Sequence, residues 1–245
     1  MAESERTALY IKDVHAHYGA SHILHGVTIQ VPAGQVTSIV GRNGVGKTTL
    51  INCIMGLIPA TNGSVRLGSI ELLQQPAYLR QRLGLAIVPQ GRRIFPSLTV
   101  DEHLDLVKTK RESAFSREWI FSMFPRLKER HNAMARQLSG GEQSMLAIAR
   151  ALTTAPSILL MDEPTEGLAP LLVEGVGELV MKLRAVGLTV LLVEQNLAFA
   201  LKVADRLAVM ERGVIVRACG RDEIGDVEAL SDLILAKGSQ CQKSA

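Results

Sequence analysis

Gly41-Arg42-Asn43-Gly44-Val45-Gly46-Lys47-Thr48 brings three glycines, a lysine and a hydroxyl into eight residues. The spacing fits G-x-x-x-x-G-K-[ST], and its chemistry is anion binding. Without a Cβ, the glycines let the backbone turn sharply and bring its N–H groups close to phosphate oxygens. The first turn of a following helix adds unpaired N–H donors and the positive end of its dipole. Lys47 supplies a full charge for β- and γ-phosphates, and the Thr48 hydroxyl can ligate Mg²⁺. The expected nucleotide contacts are Gly41, Arg42, Asn43, Gly44, Val45, Gly46, Lys47, Thr48 and Thr49, and the expected ligands are ATP and Mg²⁺.

Two further stretches carry chemistry. Ile158-Leu159-Leu160-Met161-Asp162-Glu163 is an apolar run that ends in two carboxylates. Ligands of a parallel sheet collect at the carboxyl ends of its strands, and adjacent residues there point different ways. Asp162 can therefore hold Mg²⁺ directly or through water while Glu163 orients or deprotonates an attacking water. Leu138-Ser139-Gly140-Gly141-Glu142 opens a helix with Met145, Ile148, Ala149 and Leu152 on one face and Pro156 at its end. Ser139 reads as its N-cap, and Gly140 and Gly141 leave backbone N–H groups bare, which makes a second anion-binding helix start. Tyr18, upstream of the glycine loop, suits either an adenine stack or a half-buried strand position, and the sequence leaves both open.

The elements that must position these residues follow from periodicity. Val36–Val40 is a short β-branched, apolar run that reads as a buried strand before the loop. Residues 48–55 carry apolar side chains at helical spacing, with Gly56 as C-cap. Upstream, Leu9–Ile11, Val14–Tyr18 and Val27–Val31 read as strands, with turns at Gly19 and at Pro32-Ala33-Gly34. Gly63–Leu67 is another strand, Pro76–Arg82 a short helix opened by proline, and Leu85–Val88 a buried strand ending at Pro89-Gln90.

From Leu98 to Leu152 the period is helical throughout, which predicts an inserted helical subdomain. Strands return at Ile158–Met161 and Leu188–Val193, separated by a helix over Leu171–Val186 that Gly187 stops. A helix over Asn196–Ala204 precedes a hairpin, Leu207–Met210 and Val214–Val216, around Arg212-Gly213. A last helix is expected over Asp222–Ala236, followed by a frayed end. Strands alternating with helices predict a wound α/β core. The predicted division is a core of residues 1–92 and 155–245 with a helical subdomain of residues 93–154.

Composition bounds the setting. The chain has 245 residues, 47% hydrophobic and 21% charged, enough for one or two compact domains with a sizeable core. A net charge of +3 permits an acidic ligand without suggesting nucleic acid, and aromatics at 4% leave little for a base-stacking platform. Cys53, Cys219 and Cys241 are scattered, with no metal-type spacing, which suits a reducing cytosol. The polar N-terminus has no secretory h-region, and the longest apolar stretches are too short to span a bilayer. Any membrane role is then expected to come through a partner.

Taken in order, the glycine loop, Gln90 after a strand, L-S-G-G-E and I-L-L-M-D-E-P resemble an ABC-transporter ATPase subunit from about Leu9 to Ala236. The resemblance implies an ABC ATPase fold: a P-loop α/β core, an N-terminal antiparallel β region and an inserted α-helical subdomain. It implies a head-to-tail pair of ATPase subunits, with ATP between one P-loop and the partner's Ser139-Gly140-Gly141-Glu142 signature. By the same resemblance Tyr18 stacks on adenine, Gln90 senses Mg²⁺ and water at the coupling surface, and Glu163 is the base. Val88–Pro96, Glu166–Pro170 and Val193-Glu194-Gln195-Asn196 are similar to the ATPase subunit of branched-chain, or hydrophobic, amino-acid importers.

That branch implies membrane permease subunits, a second and related ATPase, and indirect service to a periplasmic binding protein, at the cytoplasmic face of the membrane. Gln195 occupies the position usual for a switch histidine, and Ala169 that of the usual D-loop aspartate. Gln195 can hydrogen-bond a γ-phosphate but cannot carry a proton at neutral pH, which removes support for a histidine acid. Gly91–Phe95, with Arg92 and Arg93 beside Ile94 and Phe95, suits a groove for a cytoplasmic helix of a permease. The nearest rival is a urea or short-amide importer ATPase. A soluble ABC ATPase acting on nucleic acid would be expected to show a long coiled-coil insertion or tandem cassettes. A non-hydrolysing nucleotide sensor is suggested by Gln195 alone, and Glu163 counts against it.

Overall fold

Three runs without a single exposed side chain, Val36–Val40, Ile158–Asp162 and Thr189–Glu194, lie at the centre of the molecule. The computed structural model describes residues 7–107 and 115–223. In chain order the elements are β1 (Thr7–Tyr18), β2 (Ser21–Pro32), β3 (Val36–Val40), α1 (Lys47–Met55), β4 (Asn62–Leu67), β5 (Ile70–Glu71), α2 (Ala77–Arg82) and β6 (Leu85–Val88). Then come α3 (Val100–Asp105), α4 (Arg117–Met123), α5 (Pro125–Glu129), α6 (Gly140–Leu152), β7 (Ile158–Asp162) and α7 (Pro170–Ala185). The last are β8 (Thr189–Glu194), α8 (Leu197–Val203), β9 (Arg206–Glu211) and β10 (Val214–Gly220).

The strands form two sheets. One has the order β10-β9-β3-β8-β7-β6, parallel except for β10, and the other is antiparallel, β2-β1-β4-β5. Continuous apolar strands suit the first because both its faces are covered. Leu159, Met161, Val190 and Leu192 point to a core shared with α6, α7 and α8. Their neighbours Ile158, Leu160, Leu191 and Val193 point the other way, to a core shared with α1 and the antiparallel sheet. The alternation fixes register, since a one-residue slip would exchange the two cores. It also fixes where each strand stops. The ends of β3, β7 and β8 therefore lie side by side, with Val40 beside Glu194 and Asp162 beside Val193.

Several expectations need correction. β1 is one twelve-residue strand rather than two, because the break read between Ile11 and Val14 is an irregularity carried by Asp13 at φ 49°. β5 was not predicted, being only two residues long. Residues 98–152 are not helical throughout. Short helices alternate with turns there, Thr99 bridges Met134 in antiparallel fashion, and Pro125 opens α5 where a longer helix would have to break. Of the helix expected over Asp222–Ala236, a 3₁₀ turn at Arg221–Glu223 is seen, and the rest lies outside the described residues, as does Cys241. The hairpin between β9 and β10 is as expected, with Arg212 and Gly213 both at positive φ, the pairing a two-residue turn requires.

Candidate active site

The glycine loop is shaped by close approach. A Cβ on Gly41 would collide with the Met210 carbonyl of β9, and one on Gly46 would lie 2.9 Å from Leu24 Cδ2. Gly46, at φ 111°, is the N-cap of α1 and offers no side-chain acceptor, so the first-turn N–H groups remain available to an anion. Asn43, Gly44, Gly46, Lys47, Thr48 and Thr49 line a cleft of about 370 Å³ together with Tyr18, Ile23, Gln90 and Glu163. Tyr18 closes one side of it, half exposed at the end of β1. Gly41, Arg42 and Val45 support the cleft from behind: the Gly41 and Arg42 carbonyls accept from Lys47, and the Val45 carbonyl accepts from the Gly213 N–H.

The two carboxylates at the end of β7 have different partners. Asp162 Oδ1 accepts from Thr48 Oγ1 at 3.1 Å. Burial pushes the Asp162 carboxyl up to about 6, helped by the charges of Glu163 and Glu166 against the Thr48 bond and Lys47. A hydroxyl and a buried carboxylate side by side are hard oxygen donors, and a divalent cation would offset the cost of that buried charge. The residues present thus fit Mg²⁺.

Glu163 turns the other way. Its Oε1 pairs with Lys47 Nζ at 2.9 Å, and the two side chains are only 7% and 3% exposed. Lys47 also donates to the Gly41 carbonyl at 2.8 Å and the Arg42 carbonyl at 3.0 Å, so all three of its protons are engaged. Gln90 Nε2 donates to Glu166 Oε2 at 3.0 Å and to Glu163 Oε2 at 3.4 Å. Glu163 itself adopts φ 46°, a left-handed conformation that a non-glycine residue keeps only when its surroundings hold it.

The remaining predicted residues lie elsewhere. Gln195 is exposed at the exit of β8, and the structure places it outside the lining of the Lys47 cleft. Ser139, Gly140, Gly141 and Glu142 also lie apart from that cleft. Ser139 caps α6 reciprocally with Glu142: its Oγ accepts from the Glu142 N–H at 3.3 Å, and Glu142 Oε2 accepts from the Ser139 N–H at 2.7 Å. Glu142 also pairs with Arg130 at 3.4 Å, so its carboxylate holds the helix start rather than facing outward. The two glycines are not equally bare. Gly140 is exposed beneath the Arg92 guanidinium, whereas Gly141 is buried because a Cβ there would lie 2.6 Å from Leu172 of α7.

Between the two sites runs a second cleft of about 440 Å³. It is lined by Pro89, Gly91, Arg92, Arg93 and Ile94, by Gln143, Ser144 and Ala147, and by Glu163, Pro164, Glu166 and Gly167. Gly91, Arg92 and Arg93 all have positive φ, at 74°, 64° and 41°. Sequence reasoning passed over Glu194, a buried acid in contact with the loop after β7. Its signal was present: β8 is an apolar strand ending in a carboxylate, as β7 is.

The ABC transporter family profile matches residues 24–166. The chain is 43% identical over 206 residues to the high-affinity branched-chain amino acid transport ATP-binding protein BraG of Pseudomonas aeruginosa, across 83% of this chain and 88% of that protein. It is 37% identical over 204 residues to the probable branched-chain amino acid transport ATP-binding protein LivF of Archaeoglobus fulgidus, across 82% and 86% of the two. Among solved structures it is similar to a dimeric ATP-binding cassette in a post-hydrolysis state bound to ADP and Pi. There the identity is 28% and the TM-score 0.75, over 87% of this chain and 98% of the other.

Proposed function

The chain belongs to the ABC transporter family as an ATP hydrolase, and we propose that it energises uptake of branched-chain or hydrophobic amino acids through a separate membrane permease. The observation that carries the hydrolytic part is the meeting of Lys47, Glu163 and Gln90 in one cleft with Thr48 and Asp162 at its edge. The cargo rests on the likeness to BraG and LivF, whose names state branched-chain amino acids. The same likeness disfavours the urea or short-amide alternative.

In this reading the γ-phosphate competes for Lys47. Taking the ammonium away from Glu163 frees the carboxylate to accept a proton from the attacking water, so nucleotide binding itself arms the base. Thr48 and Asp162, with Gln90 nearby, would hold Mg²⁺, which neutralises charge on the phosphates when bound. Tyr18 stacks on the adenine, and Gln195 offers a hydrogen bond to the γ-phosphate once the loops close. Ser139, Gly140 and Gly141 present N–H and hydroxyl donors to nucleotide held by a partner ATPase, with Glu142 holding the helix start that aims them. The helical subdomain of residues 93–154 is the unit that moves relative to the rest.

The partners follow from this. A second ABC ATPase subunit, identical or related, completes the nucleotide site, and a permease helix occupies the cleft beside Arg92, Arg93 and Ile94. A periplasmic binding protein is served indirectly. No helix among the described residues is long and apolar enough to cross a membrane. In this reading the permease partner holds the chain as a peripheral subunit at the cytoplasmic face.

Glu163→Gln tests the hydrolytic core, because it keeps the shape of the side chain but cannot take a proton. Turnover should fall at least about 100-fold while ATP binding persists, the range expected for loss of a general base. Unchanged hydrolysis would remove Glu163 from the role. Affinity purification from native membranes tests the assembly, since two permease subunits and a second ATPase should co-purify.

A further inference from the structure

β8 ends in an acid that the hydrolytic scheme above leaves unused. Glu194 is 2% exposed, and four donors converge on its carboxylate. Oε1 accepts from Thr165 Oγ1 at 2.6 Å and from the Thr165 N–H at 3.3 Å. Oε2 accepts from the N–H groups of Gln195 at 3.0 Å and Asn196 at 3.1 Å. One buried carboxylate thereby joins two loops that leave neighbouring strands: the one after β7, which carries Glu163, and the one after β8, which carries Gln195.

The residue type is dictated by what surrounds it. Three backbone N–H groups and a hydroxyl all need an acceptor, and only a carboxylate offers two oxygens with lone pairs on both sides. Burial raises the Glu194 carboxyl above its ordinary range although all four bonds favour the charged form. A charge held there against desolvation is set where precision is needed. Glu163 lies two residues before Thr165 and sits at φ 46°, and its own N–H donates to the Val193 carbonyl at 2.9 Å. The strained residue is thus fixed at its entry by β8 and shortly after its exit by Glu194.

We infer that Glu194 is a positioning residue for hydrolysis, clamping the loop of Glu163 against the turn of Gln195 so that the base keeps its distance from the γ-phosphate. This rests on the reading of Glu163 as the base. Glu194 touches neither nucleotide nor water in this scheme. It acts through backbone placement, and a displacement of about an ångström at a reacting group can cost about 100-fold in rate.

The test uses the full chain, with steady-state ATP turnover and equilibrium binding of trinitrophenyl-ATP measured for five variants. Glu194→Ala should lower kcat about 10- to 100-fold with nucleotide Kd within about two-fold, because the phosphate cradle is untouched. Thr165→Val, which removes only the hydroxyl bond, should lower kcat less, and Thr165→Ser should restore it. Glu194→Gln should fall between, since its carbonyl can serve Gln195 and Asn196 while its amide N–H groups oppose the Thr165 N–H. Thermal melting accompanies each variant. If Glu194→Ala does not fold, Thr165→Val with a wild-type melting temperature and a reduced kcat still carries the inference.

Thr165→Val and Glu194→Gln with wild-type kcat, or kcat and affinity falling in parallel, overturn it. The fifth variant, Glu163→Gln, separates the two readings. Retained turnover there defeats the assignment of the base. A dead Glu163→Gln beside fully active Glu194 and Thr165 variants defeats only the clamp.

Discussion

Asp162→Asn should make the nucleotide-free protein more stable while crippling its use of Mg²⁺ and ATP. Asp162 is 2% exposed and its carboxyl is pushed up to about 6 from an ordinary 3.8, with burial as the main cause. A group whose folded pKa exceeds its unfolded value binds more protons when folded, so its contribution to stability falls as pH rises from about 3.8 to about 6. Near pH 7 the cost is the shift of about two units, or roughly 3 kcal/mol at 1.36 kcal/mol per unit. Asparagine removes the charge yet keeps an oxygen for the Thr48 hydroxyl.

For a chain of this size that is an increase of about 6–12 °C in melting temperature near pH 7 in the presence of a chelator. Calorimetry across pH is the discriminating assay, because the advantage should shrink below about 1 kcal/mol near pH 4, where wild-type Asp162 is itself protonated. With Mg²⁺ and ATP in excess the order should reverse, since only the wild type gains the stabilisation of bound ligand. A lower melting temperature for the chelated variant, or a gain independent of pH, would refute the reasoning that this carboxylate is destabilising until a cation arrives.

Three other outcomes follow from the same structure. His103 is fully buried, with Nδ1 donating to the Thr99 carbonyl at 2.7 Å and Nε2 accepting from the Phe95 N–H at 2.9 Å, and burial lowers its pKa below 6.5. Its contribution is therefore intact above about pH 6.5 and is lost as pH falls below it, so His103→Gln should flatten the dependence of melting temperature on pH between about 7 and 5. Arg80, 4% exposed, donates to the carbonyls of Cys53, Ile54, Leu73 and Gln75 and so closes the C-terminus of α1. Arg80→Met should cost about 3–5 kcal/mol in urea denaturation, because the last-turn carbonyls lose a buried charged donor. Ser38 is buried in β3 and its hydroxyl has no partner among the described residues, so Ser38→Ala should be neutral or stabilising by up to about 1 kcal/mol in the same assay.

What the sequence made legible is what short range decides. The glycine loop is legible because Gly44 and Gly46 meet φ requirements inside the loop itself, although what excludes a Cβ at Gly41 is the Met210 carbonyl of distant β9, and its flanking strand and helix announce themselves by unbroken apolar character and period. Asp162 and Glu163 were legible for the same reason, as carboxylates ending a strand buried on both faces. Glu194 repeats that pattern and was passed over because its donors, Thr165 and the two following N–H groups, come together only when β7 and β8 pair. Arg80 was invisible likewise: its acceptors lie up to 27 residues away in a helix that nothing in its own neighbourhood names. From Leu98 to Leu152 the sequence reads as continuous helix because i, i+3 and i+4 apolar spacing survives across helices of five to seven residues, and only the caps at Thr99 and Ser116 mark the separate starts of α3 and α4.

The Lys47–Glu163 pair shows why composition of a motif underdetermines its behaviour. Each residue on its own reads as a finished catalytic part, a phosphate binder and a base. The structure shows them neutralising one another at 2.9 Å in a site almost closed to solvent. Breaking a buried pair by removing one partner leaves the other charge uncompensated, which is costly. An incoming anion can take Lys47 without that penalty, and in the proposed scheme Gln90, the Val193 carbonyl and the inferred Thr165–Glu194 clamp keep the released carboxylate in place. With Glu163 as the proposed base, binding and chemistry are coupled through one ion pair, and its strained backbone is held from the side by the Val193 carbonyl of β8.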